Sequence, residues 1–211
     1  MNKGVNIMSR PRRVEEEWIP RTKLGELVKE GLIDLTRIFQ NNLVVKEKQI
    51  IDMLLPHLSE DVISITMVQQ MTASGQRSRF KAVVIVGADG FLGVGAAKSR
   101  EVGPAIRKAI DKAKLSVVPV IRGCGSGECG CGGIHSIPFK VKGKCGSVKI
   151  QLIPAPAGVG LACADKVKQV LKLCGVEDMW SKTFGDTRTS ENLVKATFDA
   201  LKNAHKFNFN L

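Results

Sequence analysis

The sequence predicts an α+β fold made of two small units. From residue 46 onwards, helical spacing of apolar residues gives way to alternating strand patterns and then to a second amphipathic helix, in the order α-β-β-β-α. A β-rich stretch closed by two helices follows from about residue 116. Glycine and proline separate these elements at the turns, and 211 residues suffice for two units with real cores. We expect an extension at 1–45, a first domain at 46–115 and a second at 116–211.

The extension begins with a basic segment. Residues 1–13 contain few hydrophobic side chains, which is the composition of a disordered arm that orders on a partner, although an untethered terminus explains it equally well. The first apolar anchor is Trp18-Ile19-Pro20, and apolar spacing predicts two short helices separated by Gly31. The basic residues of the arm are Lys3, Arg10, Arg12 and Arg13.

The first domain is predicted to begin with a helix whose apolar face includes Ile50, Ile51, Leu54, Leu55 and Leu58, with Pro56 near its end. The next segment is a strand, in which Ile63, Ile65 and Met67 alternate. A second strand carries Phe80, Ala82, Val84 and Val86 on one face, and Ala88-Asp89-Gly90 turns the chain back.

The helix that closes this domain is amphipathic. Its apolar positions are Ile106, Ala109, Ile110, Ala113 and Val117. Pro104 leaves two alternatives for its start: either Gly103 caps the helix and Pro104 is its first residue, or the helix begins after Ser99 and bends.

Two helices on one face of a three-stranded antiparallel sheet form the architecture of the double-stranded-RNA-binding domain. Such a domain recognises A-form shape through backbone and 2′-hydroxyl contacts, so it needs basic loops more than aromatic platforms. Aromatic residues make up 5% of this chain and tyrosine is absent, which counts against a reader of single strands such as an RRM.

The second domain is predicted to contain several short strands and two helices. Strands are expected at 117–121, 137–141, 148–152 and 176–180, with a turn at 143–146 and an irregular loop at 154–160. One helix begins near Asp165 and ends at Gly175, and Ser190 is placed to cap the last helix. Their inward residues are Val167, Val170 and Leu171, then Leu193, Val194, Thr197, Phe198 and Leu201.

Charge narrows the class of partner. Lysine and arginine number 32 against 20 acidic residues, which gives a net charge of +12, in the range of nucleic-acid binders. No apolar run approaches the roughly 20 residues that span a bilayer, and the polar start has no hydrophobic signal core. We therefore expect a soluble cytoplasmic protein without a membrane partner. Its six cysteines are then reduced thiols or metal ligands.

The segment from Gly75 to Lys81 is the first candidate for RNA contact. Arg77, Arg79 and Lys81 share one face, opposite Phe80, if the strand extends back to Arg77. Arginine matches phosphate oxygens bidentately; a merely solvated edge is the alternative. The candidate RNA-binding residues are Gly75, Gln76, Arg77, Arg79, Lys81, Lys98, Arg100, Arg107, Lys108, Lys112, Lys114 and Arg122.

Other basic segments stay open. Lys140, Lys142, Lys144 and Lys149 flank the second hairpin and are either a further basic edge or simply solvated. The polar segment 182–189 contains Phe184, and whether it meets RNA or protein is undecided.

Glycines at 93 and 95 precede a helix, which is one feature of phosphate-binding loops. The segment fits neither the Walker A pattern nor the full dinucleotide fingerprint. We interpret it as a strand that allows close backbone approach.

A glycine-rich loop contains Cys124, Cys129, Cys131 and His135, the soft ligands that tetrahedral zinc prefers. The spacing is unusual, because standard sites pair cysteines across about two to four residues. A structural zinc ion is one hypothesis, with Cys145 as a substitute for His135. The alternative is a flexible loop that contacts RNA through its backbone and Arg122. Cys163 and Cys174 lie beside apolar helix residues and are interpreted as core.

Several blocks in order resemble the small-subunit ribosomal protein five family over most of the chain. The extension resembles the archaeal and eukaryotic branch, and the loop at 124–133 resembles archaeal members most. The blocks are Gly75-Gln76-Arg77-Ser78-Arg79-Phe80, Lys98-Ser99-Arg100-Glu101-Val102, Ala105-Ile106-Arg107-Lys108-Ala109, Gly146-Ser147-Val148 and Leu152-Ile153-Pro154-Ala155-Pro156, with Glu17-Trp18-Ile19-Pro20 and Thr22-Lys23-Leu24-Gly25 in the extension.

The resemblance implies a double-stranded-RNA-binding-type domain followed by a β-β-β-α-β-α domain. It also implies a structural, non-enzymatic role on the small ribosomal subunit, with rRNA, the neighbouring ribosomal protein four and mRNA near its path into the subunit as partners. Roles in assembly and decoding accuracy follow from the same resemblance. A free-standing regulator of double-stranded RNA is the alternative, and a small-molecule kinase is a more distant one, because a shared fold does not carry function.

Overall fold

The computed structural model describes residues 18–206, so the basic arm at 1–13 lies outside the described residues. Within that range, no helix combines the length and the apolarity that crossing a membrane requires. The elements are α1 (Lys23–Lys29), α2 (Leu35–Gln40), α3 (Lys48–Leu54), β1 (Ser59–Thr72), β2 (Gly75–Ala88), β3 (Phe91–Ser99), α4 (Val102–Leu115), β4 (Val118–Pro119), β5 (Val141–Cys145), β6 (Val148–Pro154), β7 (Leu161–Ala162), α5 (Asp165–Leu173), β8 (Met179–Phe184) and α6 (Ser190–Lys206).

The extension forms the two short helices that its apolar spacing predicts, α1 and α2. Thr22 caps α1 by accepting a hydrogen bond from the Gly25 backbone, as threonine at this position commonly does. Ile38 of α2 packs with Ile50 of α3 in a small cluster of its own. The extension is thereby attached to the first helix of the α-β-β-β-α unit.

The first sheet has the strand order β1-β2-β3-β4, so the predicted α-β-β-β-α order is confirmed from α3 to α4. The fourth strand differs from expectation. The segment 117–121 is expected to open the second domain, but only Val118–Pro119 is extended, and Val118 pairs with Leu92 of β3. Val120 donates its backbone N–H to the Gly90 carbonyl, which holds this segment along the first sheet.

Strand β2 is buried on both faces. Ala82, Val84 and Val86 pack against α4, as the alternating pattern predicts. Val83 and Ile85, on the opposite face, are equally buried and belong to a larger core with α5 and α6. One continuous core therefore joins the two sheets. The domain boundaries at 45 and 115 stay a prediction.

Strand β1 is confirmed as a strand, but its alternation does not mark the core. The pairing with β2 shifts between Val62 and Ser64, so Ile63 is an extra residue in a bulge. Ile63 is buried, whereas Ile65 and Met67 are 43% and 59% exposed. A bulge changes which residues face inward, and the sequence pattern alone does not reveal it.

Helix α4 starts at Val102, between the two positions that the sequence alternatives propose. Glu101 is the N-cap, so Pro104 is the third helical residue. Proline is tolerated there because the first four N–H groups of a helix have no intrahelical acceptor. Its predicted inward residues Ala109 and Ala113 are buried, and Ile106 and Ile110 are partly buried.

The second sheet has the order β5-β6-β8-β7 and is backed by α5 and α6. The β-β-β-α-β-α order is confirmed, but with different strands: β7 lies beyond the irregular loop, and the strand expected at 137–141 begins only at Val141. Helix α5 and its end at Gly175, which has φ 72°, are as predicted. Ser190 is the first residue of α6 and not a residue before it.

Candidate nucleic-acid interface and cysteine cluster

The hairpin of β1 and β2 extends beyond the rest of the first sheet. Pairing with β3 ends at Phe80, whereas pairing between β1 and β2 continues to Thr72 and Gly75. Gly75 has φ 111°, a conformation that favours glycine at the turn. Arg77 and Arg79 lie on this two-stranded part, are exposed, and share a face as predicted because the strand begins at Gly75.

A basic cleft lies where β3 passes into α4. It has a volume of about 440 Å³, and among the described residues Glu101 is its only acidic lining residue. Arg79 reaches it from the hairpin, and Lys98 and Arg100 from the end of β3. The lining residues are Arg79, Lys98, Ser99, Arg100, Glu101, Pro104 and Lys108.

The start of α4 adds to the field of this cleft. Glu101 makes no side-chain hydrogen bond to the first turn, so the N–H groups there are not capped by it. Unpaired N–H groups and the positive end of the helix dipole attract phosphate oxygens. Four cations and a helix start therefore converge on one concave surface.

The remaining predicted cations fall into two groups. Arg107 and Lys112 are exposed on α4, where a polyanion can reach them. Lys114 binds Asp52 and Glu60, with Nζ to oxygen distances of 2.7 and 3.2 Å. Burial alone would lower the pKa of Lys114, but these two carboxylates outweigh it and raise that pKa.

Two further candidates are also engaged within the chain. Lys81 forms an ion pair with Glu191. Arg122 donates to the Gly175 carbonyl at 3.2 Å and lies 3.7 Å from the Asp89 carboxylate. These contacts attach the start of α6 to the first sheet and the end of α5 to Arg122, and they leave Lys81 and Arg122 less available than Arg79 or Arg100.

The glycines of β3 serve packing. A Cβ on Gly95 would lie 2.1 Å from the Ala109 carbonyl oxygen, and one on Gly93 would lie 2.3 Å from that of Ala113. The close backbone approach that the sequence predicts is therefore present, and α4 is what approaches.

The four predicted metal ligands come together. Their ligand atoms all lie within 4.8 Å of one another. The Cys131 Sγ lies 3.1 Å from the Cys129 Sγ and 3.6 Å from the Cys124 Sγ, and the Cys129 Sγ lies 3.7 Å from the His135 Nε2. Ligands bound tetrahedrally at about 2.0–2.3 Å are separated by similar distances. This donor set fits zinc.

Backbone contacts close the loop that carries these ligands. Gly123 and Ser136 exchange two backbone hydrogen bonds of 2.8 and 3.0 Å at its base. The His135 carbonyl accepts from the N–H groups of Glu177 and Asp178. The loop is thus fixed at both ends although most of its middle has no regular structure.

Asp178 lies behind His135. Its Oδ2 is 3.0 Å from the His135 Nδ1, and its Oδ1 accepts from the Gly160 N–H at 2.7 Å. Hydrogen bonds from the Gly160 backbone are the largest cause that holds the pKa of Asp178 below its usual range. A carboxylate behind a histidine is the usual outer partner of a zinc ligand.

The thiols of the cluster differ in acidity. Hydrogen bonds, the largest from the Ala157 backbone, lower the pKa of Cys129 to about 6. Burial and the neighbouring thiols raise the pKa of Cys124 to about 11. A bound divalent cation would lower the pKa of each of these thiols, because it favours the thiolate form of every cysteine ligand.

The other cysteines lie elsewhere. Cys145 is near the Asn192 side chain, so His135 and not Cys145 completes the ligand group. Cys174 is fully buried, and burial raises its pKa to about 12. Cys163 is partly buried against the same core, as predicted.

Sequence reasoning did not recognise one basic surface as a unit. The face of the second sheet that points away from α6 carries exposed lysines on three strands, together with Trp180 and Phe184. The signal was present, since Lys142 and Lys144 alternate with buried Val141 and Gly143. What was missing was the pairing that places β8 beside β6.

Two family matches cover the two sheets. Residues 58–121 match the family described as Ribosomal protein S5, N-terminal domain, and residues 143–209 match Ribosomal protein S5, C-terminal domain.

Whole-chain relatives give the same result. The chain is 56% identical over 190 residues to small ribosomal subunit protein uS5 of Methanococcus maripaludis, covering 89% of this chain and 84% of the relative. It is 55% identical to uS5 of Methanocaldococcus jannaschii, covering 89% and 87%. It is 54% identical to uS5 of Thermofilum pendens, covering 90% and 96%. The resemblance found from the sequence blocks is confirmed: this chain belongs to the uS5 family of small ribosomal subunit proteins.

Proposed function

We propose that the chain is a structural component of the small ribosomal subunit in the cytoplasm and binds small-subunit rRNA through the basic cleft and the adjoining hairpin. The cleft carries the proposal. One concave surface is lined by Arg79, Lys98, Arg100 and Lys108, with a single carboxylate from the part of the chain that the structure describes. Phosphates of rRNA are the anions that such a surface fits. The relatives are ribosomal proteins, which supports a structural and not an enzymatic role.

The finer assignments of the family are part of this proposal. They are contact with ribosomal protein four, a position near the path of mRNA into the subunit, and effects on assembly and decoding accuracy. They are supported by membership of the family alone. The contacts of Lys81, Lys114 and Arg122 within the chain make these residues supporting members of the interface, behind the exposed cations.

The interface is tested by the salt dependence of rRNA binding. Replacing both Arg79 and Arg100 with glutamine removes two phosphate contacts, so the slope of log affinity against log salt should flatten by about 1.4–1.8. Lys202→Gln is the matched control, because Lys202 is exposed on α6, outside the cleft. An unchanged slope in the double variant would contradict the cleft assignment.

Sedimentation of a native extract separates the competing functions. We expect the chain to travel with the small subunit at low salt and to dissociate only at high salt. Binding to diverse duplex RNAs in a free pool would favour the regulator instead. A free pool that turns over nucleotide would favour the enzyme.

We also propose that Cys124, Cys129, Cys131 and His135 hold a structural zinc ion. All four positions are taken by the chain, which is the pattern of a structural site, and the closed loop base holds the ligands in place. Bound there, zinc would fix the chain between the two sheets. Arg122 directly precedes Gly123 at the base of this loop, so the metal would support the contact of Arg122 with Gly175.

Metal analysis of the purified chain tests this site. We expect about one equivalent of zinc. Cys129→Ser should lose it, whereas Cys163→Ser, outside the cluster, should retain it. Less than half an equivalent after mild purification would contradict the proposal.

A further inference from the structure

The open face of the second sheet combines lysines with aromatic rings. Lys149 of β6 pairs with Lys144 on one side and with Phe184 on the other. Gln151 lies between Lys142 and Lys182 in the same way, and Ile153 pairs with Trp180. Paired residues share a face of a sheet. We call Lys142, Lys144, Lys149, Trp180, Lys182 and Phe184 the lysine–aromatic face.

This face has no role in the core. The residues that alternate with it, among them Val141, Val148 and Ile150, are buried and belong to the core that α6 completes. Phe184 is 56% exposed and Trp180 is 37% exposed. Two large aromatic rings are therefore exposed to solvent, on a sheet whose other face already belongs to the core.

The lysines of the face, Lys142, Lys144, Lys149 and Lys182, form no ion pair with any of the described residues. Asp199 lies at the edge and accepts a hydrogen bond from the Lys144 backbone N–H. Like charges directly opposite on paired strands, such as Lys144 and Lys149, destabilise a sheet. An anion bound across the strands removes that cost.

We propose that the lysine–aromatic face binds a single-stranded segment of RNA. The lysines contact its phosphates, and unpaired bases stack on Phe184 and Trp180. Stacking on aromatic side chains beside a basic surface is how sheets bind single strands without regard to sequence. The two rings are four residues apart on one strand face, about 13 Å, so they serve different bases. The inference rests on the proposed function, because it takes RNA as the ligand, but it uses a surface separate from the cleft.

The composition favours RNA over an apolar protein partner. Lysine is depleted in the buried centre of protein interfaces, whereas here lysines on three strands surround the two rings of β8. The cleft, in contrast, has no aromatic residue in its lining within residues 18–206. The cleft suits the backbone of folded RNA, and the lysine–aromatic face suits exposed bases.

Tryptophan fluorescence tests the face directly. The chain has two tryptophans, so Trp18→Phe leaves Trp180 as the only reporter. A uridine oligonucleotide should quench Trp180 saturably, and a blunt RNA duplex should quench it far less, because its bases are already stacked. Absence of saturable quenching by the oligonucleotide would overturn the proposal.

Variants of Phe184 separate stacking from simple apolar contact, and they do not need the Trp18 substitution. In the full chain, Phe184→Leu should weaken oligonucleotide binding about tenfold, and Phe184→Trp should retain it. The control Lys202→Gln should bind as the unaltered chain does. If Phe184→Leu binds as tightly as the unaltered chain, the ring does not stack on a base and the proposal fails.

The proposals for the two RNA-binding surfaces can be refuted independently of each other. The double variant Arg79→Gln, Arg100→Gln should lose affinity for folded rRNA and keep oligonucleotide quenching of Trp180. Loss of quenching in that variant would mean that the oligonucleotide binds the cleft, which would overturn the proposal for the second sheet and leave the proposed function standing. If the unaltered chain binds neither folded rRNA nor the oligonucleotide, the proposed function itself fails.

Discussion

Lys81 of β2 forms an ion pair with Glu191 in the first turn of α6, 110 residues further along the chain. Both side chains are about three-quarters buried, with 24% and 25% of their surface exposed. Glu191 also accepts a hydrogen bond from Lys195 at 2.7 Å. The cation at the end of a predicted RNA-binding segment thus fastens the last helix to the first sheet.

Lys81 and Arg79 should therefore respond differently to the same substitution. Lys81→Gln should lower the free energy of unfolding by about 1 kcal/mol and change rRNA affinity little, because its charge is already paired. Arg79→Gln should leave stability unchanged and flatten the salt slope by about 0.7–0.9. Thermal denaturation and binding titrations on the two variants measure both effects. A larger loss of rRNA affinity for Lys81→Gln than for Arg79→Gln would contradict this division.

The ion pair should also make stability depend on pH. Burial by itself would raise the pKa of Glu191, but the contacts of Lys195 and Lys81 outweigh it and place that pKa below its usual value of 4.5. The resulting stabilisation is present above pH 4.5 and is lost as the pH falls through the folded-state pKa. The melting temperature of the unaltered chain should exceed that of Glu191→Gln at neutral pH, and the difference should shrink in acid. A difference that grows in acid would have the wrong sign.

Asp178 should control how tightly the cysteine cluster holds metal. Asp178→Asn keeps the shape behind His135 but removes the charge, so we expect zinc affinity to fall about 10–100-fold. Competition with a chromogenic chelator measures this. Asp165→Asn is the control, since the Asp165 side chain is 98% exposed, pairs with Lys168 and is not a member of the cluster. Equal affinities in the two variants would show that Asp178 has no part in metal binding.

Two glycines test the close contact between β3 and α4, one that lies at the contact and one that lies in open space. Gly95→Ala should cost about 1–3 kcal/mol, because the new Cβ would meet backbone atoms of Ala109 and Ala113 that shift only if the helix does. Gly127→Ala is the control, because Gly127 is exposed in the cysteine loop and, its chain neighbours aside, no atom of the described residues lies within 4 Å of its new Cβ. The free energy of unfolding of this control should change by no more than about 0.5 kcal/mol. Urea denaturation compares them, and equal losses would contradict the close approach.

The local parts of the fold were predictable because each depends on neighbours in sequence. Helix α5 follows from the spacing of Val167, Val170 and Leu171 and from the glycine at its end. The bulge at Ile63 and the burial of Val83 and Ile85 were not predictable, because both depend on segments distant in the chain. The alternating residues of one face were enough to identify β2 as a strand. The apolar residues between them were not recognised as a second buried face.

The candidate sites divide in the same way. The cysteine cluster was predictable because its ligands fall within one short loop, and the structure brings all four together. Which lysines are available to bind RNA was not predictable, because the sequence does not distinguish a lysine that binds RNA from one that pairs with a carboxylate. Only the positions of Glu191, Asp52 and Glu60 distinguish Lys81 and Lys114 from Lys98.

The burial of Val83 and Ile85 has a consequence for synthesis. A ribosome makes β2 well before α6, the last of the described elements, so one apolar face of the first sheet stays incompletely covered while more than a hundred residues are added. Exposed strands of this kind aggregate at cellular concentrations unless something covers them. A nascent chain arrested before α6 should therefore recruit a holding chaperone, and release it only when the closing helix emerges.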